Sequence, residues 1–513
     1  MRYGFLIDQN RCIGCHACTV ACKEEHAIPL GVNRTWVKYV EKGRYPDTRR
    51  HFAVLRCNHC DDAPCIEICP TVALFRRPDG IVDFDGERCI GCKSCMQACP
   101  YDALYIDPER NTAAKCNFDA SRIEMGYKPA CEAVCPTQAI LSGDLDDPAS
   151  AISRRIATEK VAVRKPEKGT RPKLYYVGVD GDLLEPSRMA PQEGYLWGEK
   201  NPGEDLYALR AAGAGAAPVE TSREVYDVPH ATPWGAKISA YLWSKSVAAG
   251  VLLVSALLAN AGLQPDAPVL ALVSPGIALV FLALTLGLLI ADLKKPARFF
   301  YILTRPNRSS WLVLGGYVLA AYAAAAVVWA AYGFRRGFAP PAVFWPAAVL
   351  AVAAACYSAF LFAQARGRDF WQSPLKFWHL LAQALVAGSA ALILAGASQL
   401  VVPLPLMGGA AFHWLGNALV VSLLAALAIA FVDLLMDHGG EGTRRAADLL
   451  VKGALWKPFW LVVVAAGGLL PIALTLWPTA SPLPNIVAAV LALVGVWSYE
   501  HLWIKAGQAM PLS

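Results

Sequence analysis

The sequence predicts two physically different parts: an α+β domain, followed by an all-α bundle of about eight transmembrane helices. Fifteen of the sixteen cysteines lie between Cys12 and Cys135, in closely spaced groups. After about residue 235, long stretches are apolar on every face, which is typical of membrane-spanning helices and not of amphipathic helices in soluble proteins. At 513 residues the chain is too long for one ordinary domain.

The N-terminal cysteines are spaced too regularly for a disulfide framework and have the pattern of metal ligands. Soft thiolates in a C-x2-C-x2-C turn suit a cubane iron-sulfur cluster, and a fourth cysteine three residues later reaches the neighbouring cluster. Zinc ribbons lack this trailing C-x3-C-P, so zinc is disfavoured. The four groups are Cys12-x2-Cys15-x2-Cys18-x3-Cys22, Cys57-x2-Cys60-x4-Cys65-x3-Cys69, Cys89-x2-Cys92-x2-Cys95-x3-Cys99, and Cys116-x2-Asp119 with Cys131-x3-Cys135.

This repetition indicates an internally duplicated, ferredoxin-like dicluster domain. His16, His26 and His59 lie among the cysteines, but a Rieske centre needs two histidines in place of two cysteines. We therefore expect these histidines to support the ligands or to lie at the surface. The N-terminus has neither a basic start followed by an apolar core nor a twin-arginine pair, so no cleavable export signal is expected.

Residues 1 to about 190 resemble the four-cluster electron-transfer subunits of molybdopterin oxidoreductases, such as dimethylsulfoxide reductase and polysulfide reductase. The resemblance implies crossed ligation in four sets that together form an electron path. Set 1 would be Cys12, Cys15, Cys18 and Cys135; set 2 would be Cys22, Cys116, Asp119 and Cys131; set 3 would be Cys57, Cys60, Cys65 and Cys99; set 4 would be Cys69, Cys89, Cys92 and Cys95.

Asp119 departs from the family pattern, which usually has a cysteine at this position. A carboxylate is a harder and weaker ligand for cluster iron than a thiolate. Set 2 is therefore expected to hold either a [3Fe-4S] cluster, which we favour slightly, or a [4Fe-4S] cluster ligated by Asp119, beside three [4Fe-4S] clusters in the other sets. The alternative is a solvated Asp119 beside an empty site.

The predicted domain limits are 1–200 for the iron-sulfur domain, 201–235 for a linker and 236–513 for the membrane domain. The segment 146–200 is polar with one strand-like run, Lys173–Val179, whereas the linker is rich in Ala, Gly, Pro and charged residues. The predicted membrane spans are 236–260, 268–291, 311–332, 343–364, 377–400, 411–435, 455–476 and 485–504.

An even number of spans puts both chain ends on one side of the membrane. That side would carry fifteen basic residues and the opposite side only Arg335 and Arg336. Since cytoplasmic loops are enriched in Lys and Arg, this asymmetry predicts that the iron-sulfur domain faces the cytoplasm of a bacterial inner membrane. The fifteen are Lys237, Lys245, Lys294, Lys295, Arg298, Arg305, Arg308, Arg366, Arg368, Lys376, Arg444, Arg445, Lys452, Lys457 and Lys505.

The membrane part resembles the NrfD/polysulfide-reductase membrane subunits. The resemblance implies a quinone site close to the iron-sulfur domain and no haem; the latter also agrees with the absence of paired histidines within one predicted helix. The motifs that carry it are the first apolar run YLWSKSVAAGVLL, Ala291-Asp292-Leu293 with Pro296, Arg298 and Phe299, Ser310-Trp311, and Gly507-Gln508 with Pro511.

Polar groups in apolar helices are costly and are therefore candidates for function. Each has a simpler alternative: Lys245 extending to the membrane surface, Asp292 pairing with Arg298, Tyr241 belonging to the interfacial aromatic belt, or His379 and Glu500 lying among lipid head groups. Asp433 and His413 are weaker candidates, for a proton path, and Cys356 is expected to be a small core residue. The candidate quinone-binding residues are Tyr241, Lys245, Asp292, Arg298, His379 and Glu500.

The leading functional hypothesis is a quinone-reactive subunit of an oxidoreductase, which exchanges electrons between menaquinone or ubiquinone and a separate catalytic subunit of molybdopterin type. The alternative is the quinol-oxidising part of a complex similar to alternative complex III, with multihaem cytochrome c partners. A transporter or structural anchor is disfavoured by fifteen cysteines in motif. Nucleic acid is not an expected partner, because the basic residues lie mostly between apolar helices.

Overall fold

The computed structural model describes residues 1–44, 46–186, 189, 222–264, 266–397, 407–436, 440–478 and 481–513. The predicted fold class is confirmed: a mixed α/β domain carries the cysteine motifs, and a helical bundle follows it. Most of the predicted linker lies outside the described residues.

In the part of the chain that the structure describes, the α/β domain consists of short helices, several of which begin within the cysteine motifs, and four small sheets. Two copies of one unit stand in tandem, in which a five-residue helix precedes an antiparallel hairpin. The described residues of this domain include seven helices: Ala17–Glu25, Pro64–Ile68, Ser94–Ala98, Ala120–Glu124, Ala130–Ala133, Ala151–Thr158 and Gly181–Leu184.

Eleven strands are described in this domain: β1 Tyr3–Asp8, β2 Thr35–Arg44, β3 Asp47–Arg56, β4 Leu74–Arg76, β5 Val82–Phe84, β6 Leu104–Ile106, β7 Ala113–Lys115, β8 Ile140–Asp144, β9 Val161–Ala162, β10 Leu174–Val177 and β11 Arg223–Tyr226. The largest sheet has the order β8-β1-β10-β9, with β1 and β10 parallel. The strand-like run predicted at Lys173–Val179 is β10.

The end of the predicted linker differs from the expectation. β11 pairs antiparallel with β2 and forms a three-stranded sheet with β3. Segment 222–226 is therefore part of the α/β domain and not a free connection. Its composition gave no hint, because strand pairing joins residues that are far apart in the sequence.

Among the described residues, eight helices are long and apolar enough to cross a membrane, as predicted. Close approach between them uses small residues: a side chain at Gly250 of the first helix would collide with the backbone at Ala384 of the fifth. The seventh has π-helical geometry over Pro458–Leu469. The eight are Ala236–Asn260, Val269–Asp292, Trp311–Arg336, Pro341–Gln364, Lys376–Ala397, Gly409–Leu435, Pro458–Leu476 and Leu483–Ala509.

Two shorter helices, Tyr301–Thr304 and Glu441–Val451, lie in the connections between the membrane helices. The C-terminal tail that follows the eighth membrane helix packs on the α/β domain. Lys38 Nζ donates to the Ser513 carbonyl at 2.9 Å, and Arg164 donates to the Leu512 carbonyl at 2.9 Å. Both chain ends therefore lie on one side of the bundle, as the even number of spans requires.

Candidate iron-sulfur and quinone sites

Sets 3 and 4 each come together in the structure. All four cysteines of set 4 line one small cavity. In set 3, burial raises the pKa of the Cys60 thiol, and the neighbouring Cys57 and Cys99 raise it further. Burial also raises the pKa of the Cys65 thiol, and Cys99 and Cys57 raise it further. Each set thus joins three cysteines of one motif to the last cysteine of the other.

The thiols of sets 1 and 2 are neighbours in the same crossed manner. Burial raises the pKa of Cys12 in set 1, and Cys135, from the far end of the domain, adds to this effect. Burial likewise raises the pKa of Cys22 in set 2, and Cys116 and Cys131 raise it further. The N-terminal motif therefore meets the last motif, whereas the two middle motifs meet each other.

The sets follow one another in the order 1, 2, 3, 4. Thiols of neighbouring sets are close enough to interact electrostatically. The interacting pairs are Cys18 with Cys131, Cys116 with Cys57, and Cys65 with Cys95. Set 1 lies at the outer end, where Cys15 is exposed. Set 4 lies at the membrane end, because the backbone carbonyl of Cys92 accepts a hydrogen bond from the Trp234 indole at 3.4 Å, just before the first membrane helix.

The surroundings of the thiols fit iron-sulfur clusters. Backbone N–H groups donate to the sulfur atoms of Cys57, Cys89 and Cys135 over 3.2 to 3.5 Å, and such hydrogen bonds tune cluster potentials. A zinc ion would draw its sulfur ligands to within roughly 3.8 Å of one another. Among the described residues, no group of three Cys, His, Asp or Glu side chains is arranged to hold one metal ion.

Asp119 is buried, not solvated, which overturns the solvated alternative. Its exposed fraction is 5%, its Oδ2 accepts from the backbone N–H of Ala130 at 2.9 Å, and its Oδ1 has no hydrogen-bond partner. The His26 ring lies 3.7 Å from that Oδ1. A buried carboxylate oxygen without a hydrogen bond is costly, and iron coordination would satisfy it.

Sequence reasoning missed Arg56 and Lys115, two fully buried cations. Arg56 donates to Cys131 Sγ at 3.0 Å, and the thiols of Cys131, Cys116 and Cys18 outweigh the effect of burial and raise the pKa of Arg56. Lys115 Nζ donates to the carbonyl of Cys116 at 2.7 Å. A signal was present, since a basic residue directly precedes the first cysteine of all four motifs.

A cavity of about 330 Å³ lies between set 4 and the first four membrane helices. Its walls are largely apolar, as is typical of sites for small organic ligands, and its size falls at the low end of their range. The polar positions on it include Tyr241, Asp292 and Tyr357, together with Cys92 and Ser94 from the α/β domain. Two of the six predicted quinone-binding residues therefore line this cavity.

Lys245 lies directly behind the cavity wall. Its ammonium group donates to the Ala355 carbonyl at 2.5 Å and to Ser358 Oγ at 3.0 Å, and the Tyr241 hydroxyl lies 3.0 Å from the same Oγ. The side chain is 1% exposed, so the alternative that it extends to the membrane surface is wrong. Tyr241, Ser358 and Lys245 form one hydrogen-bonded group.

Asp292 and Arg298 do not pair with each other. Asp292 binds Lys93 of the α/β domain at 2.7 Å, whereas Arg298 binds Glu87 at 2.9 Å and the Gly86 carbonyl at 2.8 Å. Arg298 does not line the cavity and instead holds the α/β domain against the membrane domain. The partners come from the other domain, which the spacing of residues 291–299 does not reveal.

His379 and Glu500 lie away from the large cavity. The His379 ring packs edge-on against Tyr499, with 4.4 Å between the ring centres, and Glu500 is an ion-pair partner of Lys376 at 3.6 Å. Both predicted residues are almost completely buried, at 4% and 0% exposure, so they do not lie among lipid head groups. Asp433 accepts a hydrogen bond from Ser373.

Residues 224–511, more than half of the sequence, match the family described as polysulphide reductase, NrfD. The chain therefore belongs to this family. The NrfD match begins at β11 and ends within the C-terminal tail, so it covers all eight membrane helices and confirms the resemblance of the membrane part. Residues 49–145 match a 4Fe-4S dicluster domain, and residues 3–24 match a 4Fe-4S binding domain.

Relatives of the iron-sulfur part are subunits of reductases. A tetrathionate reductase subunit from Salmonella typhimurium is 43% identical over 202 residues, which cover 39% of this chain and 80% of that protein. A polysulfide reductase subunit from Wolinella succinogenes is 41% identical over 179 residues, 34% of this chain and 94% of that protein. The thiosulfate reductase electron transfer subunit PhsB of Salmonella typhi is 41% identical over 177 residues, 34% of this chain and 91% of that protein.

These findings support iron-sulfur electron transfer as the activity of this chain. Its iron-sulfur domain is fused to an NrfD domain that forms the multi-pass membrane part.

Proposed function

We propose that this chain passes electrons between the membrane quinone pool, as menaquinone or ubiquinone, and a separate molybdopterin-dependent catalytic subunit. The observation that carries the proposal is the large cavity, because it opens among membrane helices and touches Cys92 of set 4. An iron-sulfur cluster supplies one-electron transfer when bound. The four sets, in their order, would form the path between the cavity and the outer end of the domain.

The quinone head group would occupy the cavity, with its isoprenoid tail toward the lipid. Tyr241 would donate a hydrogen bond to a quinone oxygen, and Lys245 would hold Tyr241 in place through Ser358. Asp292, bound to Lys93, lies on the side of the α/β domain. Arg298 would serve the site only by fixing the distance between set 4 and the cavity.

Sets 1, 3 and 4 would each hold a [4Fe-4S] cluster. Set 2 would hold a [3Fe-4S] cluster or a [4Fe-4S] cluster with Asp119 as the fourth ligand. The Oδ1 atom of Asp119 is buried without a hydrogen bond, which supports a role of this residue at the cluster. Arg56, between sets 1 and 2, would offset the negative charge of their thiolates.

The catalytic subunit would dock over set 1. Cys15 is exposed there, and three apolar side chains next to its cysteines, Ile13, Val20 and Val134, are exposed by 58%, 64% and 41%. Exposed apolar patches in soluble domains are typical of interfaces. The named relatives of this domain belong to reductases of tetrathionate, polysulfide and thiosulfate, so a sulfur oxyanion or polysulfide is the class of substrate we propose for the complex.

The iron-sulfur domain would face the cytoplasm, given the basic residues on that side of the bundle. Ser513 is 3% exposed and bound to Lys38, so a reporter fused there would disturb the domain contact. A better test is Arg336→Cys, at the C-terminal end of the third membrane helix. In right-side-out spheroplasts this cysteine should react with a membrane-impermeant maleimide. Labelling that occurs only after lysis would show that the iron-sulfur domain has the opposite orientation.

The proposal is tested by anaerobic extraction in mild detergent through an affinity tag in the turn at Gly126, which is exposed. Mass spectrometry should identify a molybdopterin-type subunit, and Val20→Glu should abolish its recovery while the iron content of this chain stays unchanged. Recovery of multihaem cytochromes without such a subunit would replace this proposal with a complex similar to alternative complex III.

A further inference from the structure

The ion pair between Lys376 and Glu500 is buried in the membrane domain without sufficient hydrogen bonds. Glu500 is 0% and Lys376 is 2% exposed, and their charged groups are 3.6 Å apart. In the described part of the chain, neither oxygen of Glu500 nor the Lys376 nitrogen has a hydrogen-bond partner. An ion pair in this state is costly unless water reaches it or one proton moves to make both groups neutral.

A small cavity lies near the pair, although neither Lys376 nor Glu500 lines it. A cavity of about 40 Å³ is lined by His379, Gln383 and Tyr499, which are close neighbours of the pair in the fifth and eighth helices. The side-chain oxygen of Gln383 is also buried and has no hydrogen-bond partner among the described residues. The cavity is too small for a quinone ring but has room for one or two water molecules. The π-helical part of the seventh helix forms one wall, a geometry common at functional sites.

The pair is also within electrostatic range of the quinone cavity. The Glu500 carboxylate interacts electrostatically with Tyr241 and Lys245, and the Lys376 ammonium group interacts electrostatically with Lys245. Tyr241 lines the large cavity and is joined to Lys245 through Ser358. Electrostatic interaction therefore connects this group with Glu500, but no hydrogen bond among the described residues does, so the proton needs water to cross the gap. The titratable groups around Glu500 are Tyr241 and Lys245 of the first helix, Lys376 and His379 of the fifth, Asp433 of the sixth, and Tyr499 of the eighth.

We propose that Glu500, paired with Lys376, is the proton-transfer site that serves the quinone; this rests on the quinone function proposed above. Reduction of a quinone to a quinol takes up two electrons and two protons, and oxidation releases them. The electrons travel by the iron-sulfur path. Each proton passes between a quinone oxygen and the Glu500 carboxylate by way of the Tyr241 group and water. Lys376 stabilises the carboxylate whenever the proton has left.

The test uses the intact complex in liposomes, under anaerobic conditions, with a short-chain quinol. Glu500→Gln keeps the shape of the side chain and removes its proton exchange. Quinol-driven reduction of the clusters should slow at least tenfold, with an unchanged KM for quinol and a flattened pH dependence. Glu441→Gln, an exposed glutamate in the connection before the seventh helix, is the matched control and should behave as the wild type.

A wild-type rate and pH profile in Glu500→Gln would overturn this proposal alone. Absence of quinol-driven cluster reduction in the wild-type complex would instead overturn the quinone function, and this proposal with it. Infrared difference spectra of the wild-type complex do not depend on whether the variant folds. A carboxyl C=O band should change on quinone reduction and shift in Glu500→Asp; a spectrum without such a band contradicts the proposal.

Discussion

Replacing Tyr241 by Phe tests the quinone site most selectively. The Tyr241 side chain is 2% exposed, lines the large cavity and lies 3.0 Å from Ser358 Oγ. The variant keeps the ring but removes the hydroxyl, so the quinone oxygen that it serves would be buried without a partner. Such a loss costs about 1–3 kcal/mol. Since 1.4 kcal/mol is tenfold in affinity, we expect quinol binding to weaken roughly 5- to 150-fold.

The assay is quinol-driven cluster reduction as a function of quinol concentration. Tyr322→Phe is the matched control, because Tyr322 is also fully buried in a membrane helix and donates one hydrogen bond, to the Ala248 carbonyl at 2.5 Å, but does not line the cavity. The KM should rise in Tyr241→Phe and stay within twofold of wild type in Tyr322→Phe. An unchanged KM in Tyr241→Phe, or an equal rise in both, would refute the assignment of the cavity.

Three further predictions concern the iron-sulfur domain. For the [3Fe-4S] form of set 2, Asp119→Cys should add one iron atom per chain and abolish the [3Fe-4S] electron paramagnetic resonance signal. Unchanged iron content and spectra would contradict the [3Fe-4S] form and favour a [4Fe-4S] cluster with Asp119 as the fourth ligand. Arg56→Gln should lower the reduction potentials of the clusters in sets 1 and 2 by on the order of 100 mV, because a nearby buried positive charge favours the reduced form. Arg56→Lys should restore most of the difference. Equal reduction potentials of Arg56→Gln and the wild type in redox titrations would contradict this prediction. Burial alone would lower the pKa of His230, but Asp227 and Asp102 outweigh it and raise the pKa to about 10. His230 Nε2 lies 3.2 Å from Ser513 Oγ in the C-terminal tail. The stabilisation from protonated His230 is complete below its ordinary pKa of about 6.5 and is lost as the pH rises through about 10, so hydrogen exchange in the C-terminal tail should accelerate there. A pH-independent rate, after correction for intrinsic exchange, would contradict this prediction.

The sequence was sufficient for features that depend on local spacing. Cysteine ligands must follow one another at fixed intervals to reach one cluster, and bilayer thickness fixes the length of a spanning helix. For this reason the fold class and the number of membrane helices were predicted. The cysteines of each set are neighbours in the structure, and cluster ligation by the four sets stays a prediction.

Features that depend on helix rotation and on contacts between domains were not predictable in this way. Six polar residues were assigned to one quinone site, but they separate into three places. Tyr241, Lys245 and Asp292 lie at the large cavity, Arg298 at the domain contact, and His379 and Glu500 at a separate buried cluster. Their partners, such as Lys93 and Glu87, come from the α/β domain and carry no signal in the membrane sequence.

The most direct test of the central claim is the redox response of the clusters to quinol. The purified complex, oxidised and free of oxygen, would be mixed rapidly with menaquinol or ubiquinol analogues while cluster absorbance and paramagnetic signals are recorded. The proposed function predicts that quinol reduces clusters in this chain, with a rate that saturates with quinol concentration and falls in Tyr241→Phe. Clusters that dithionite reduces but none of these quinols does would contradict electron exchange with the quinone pool.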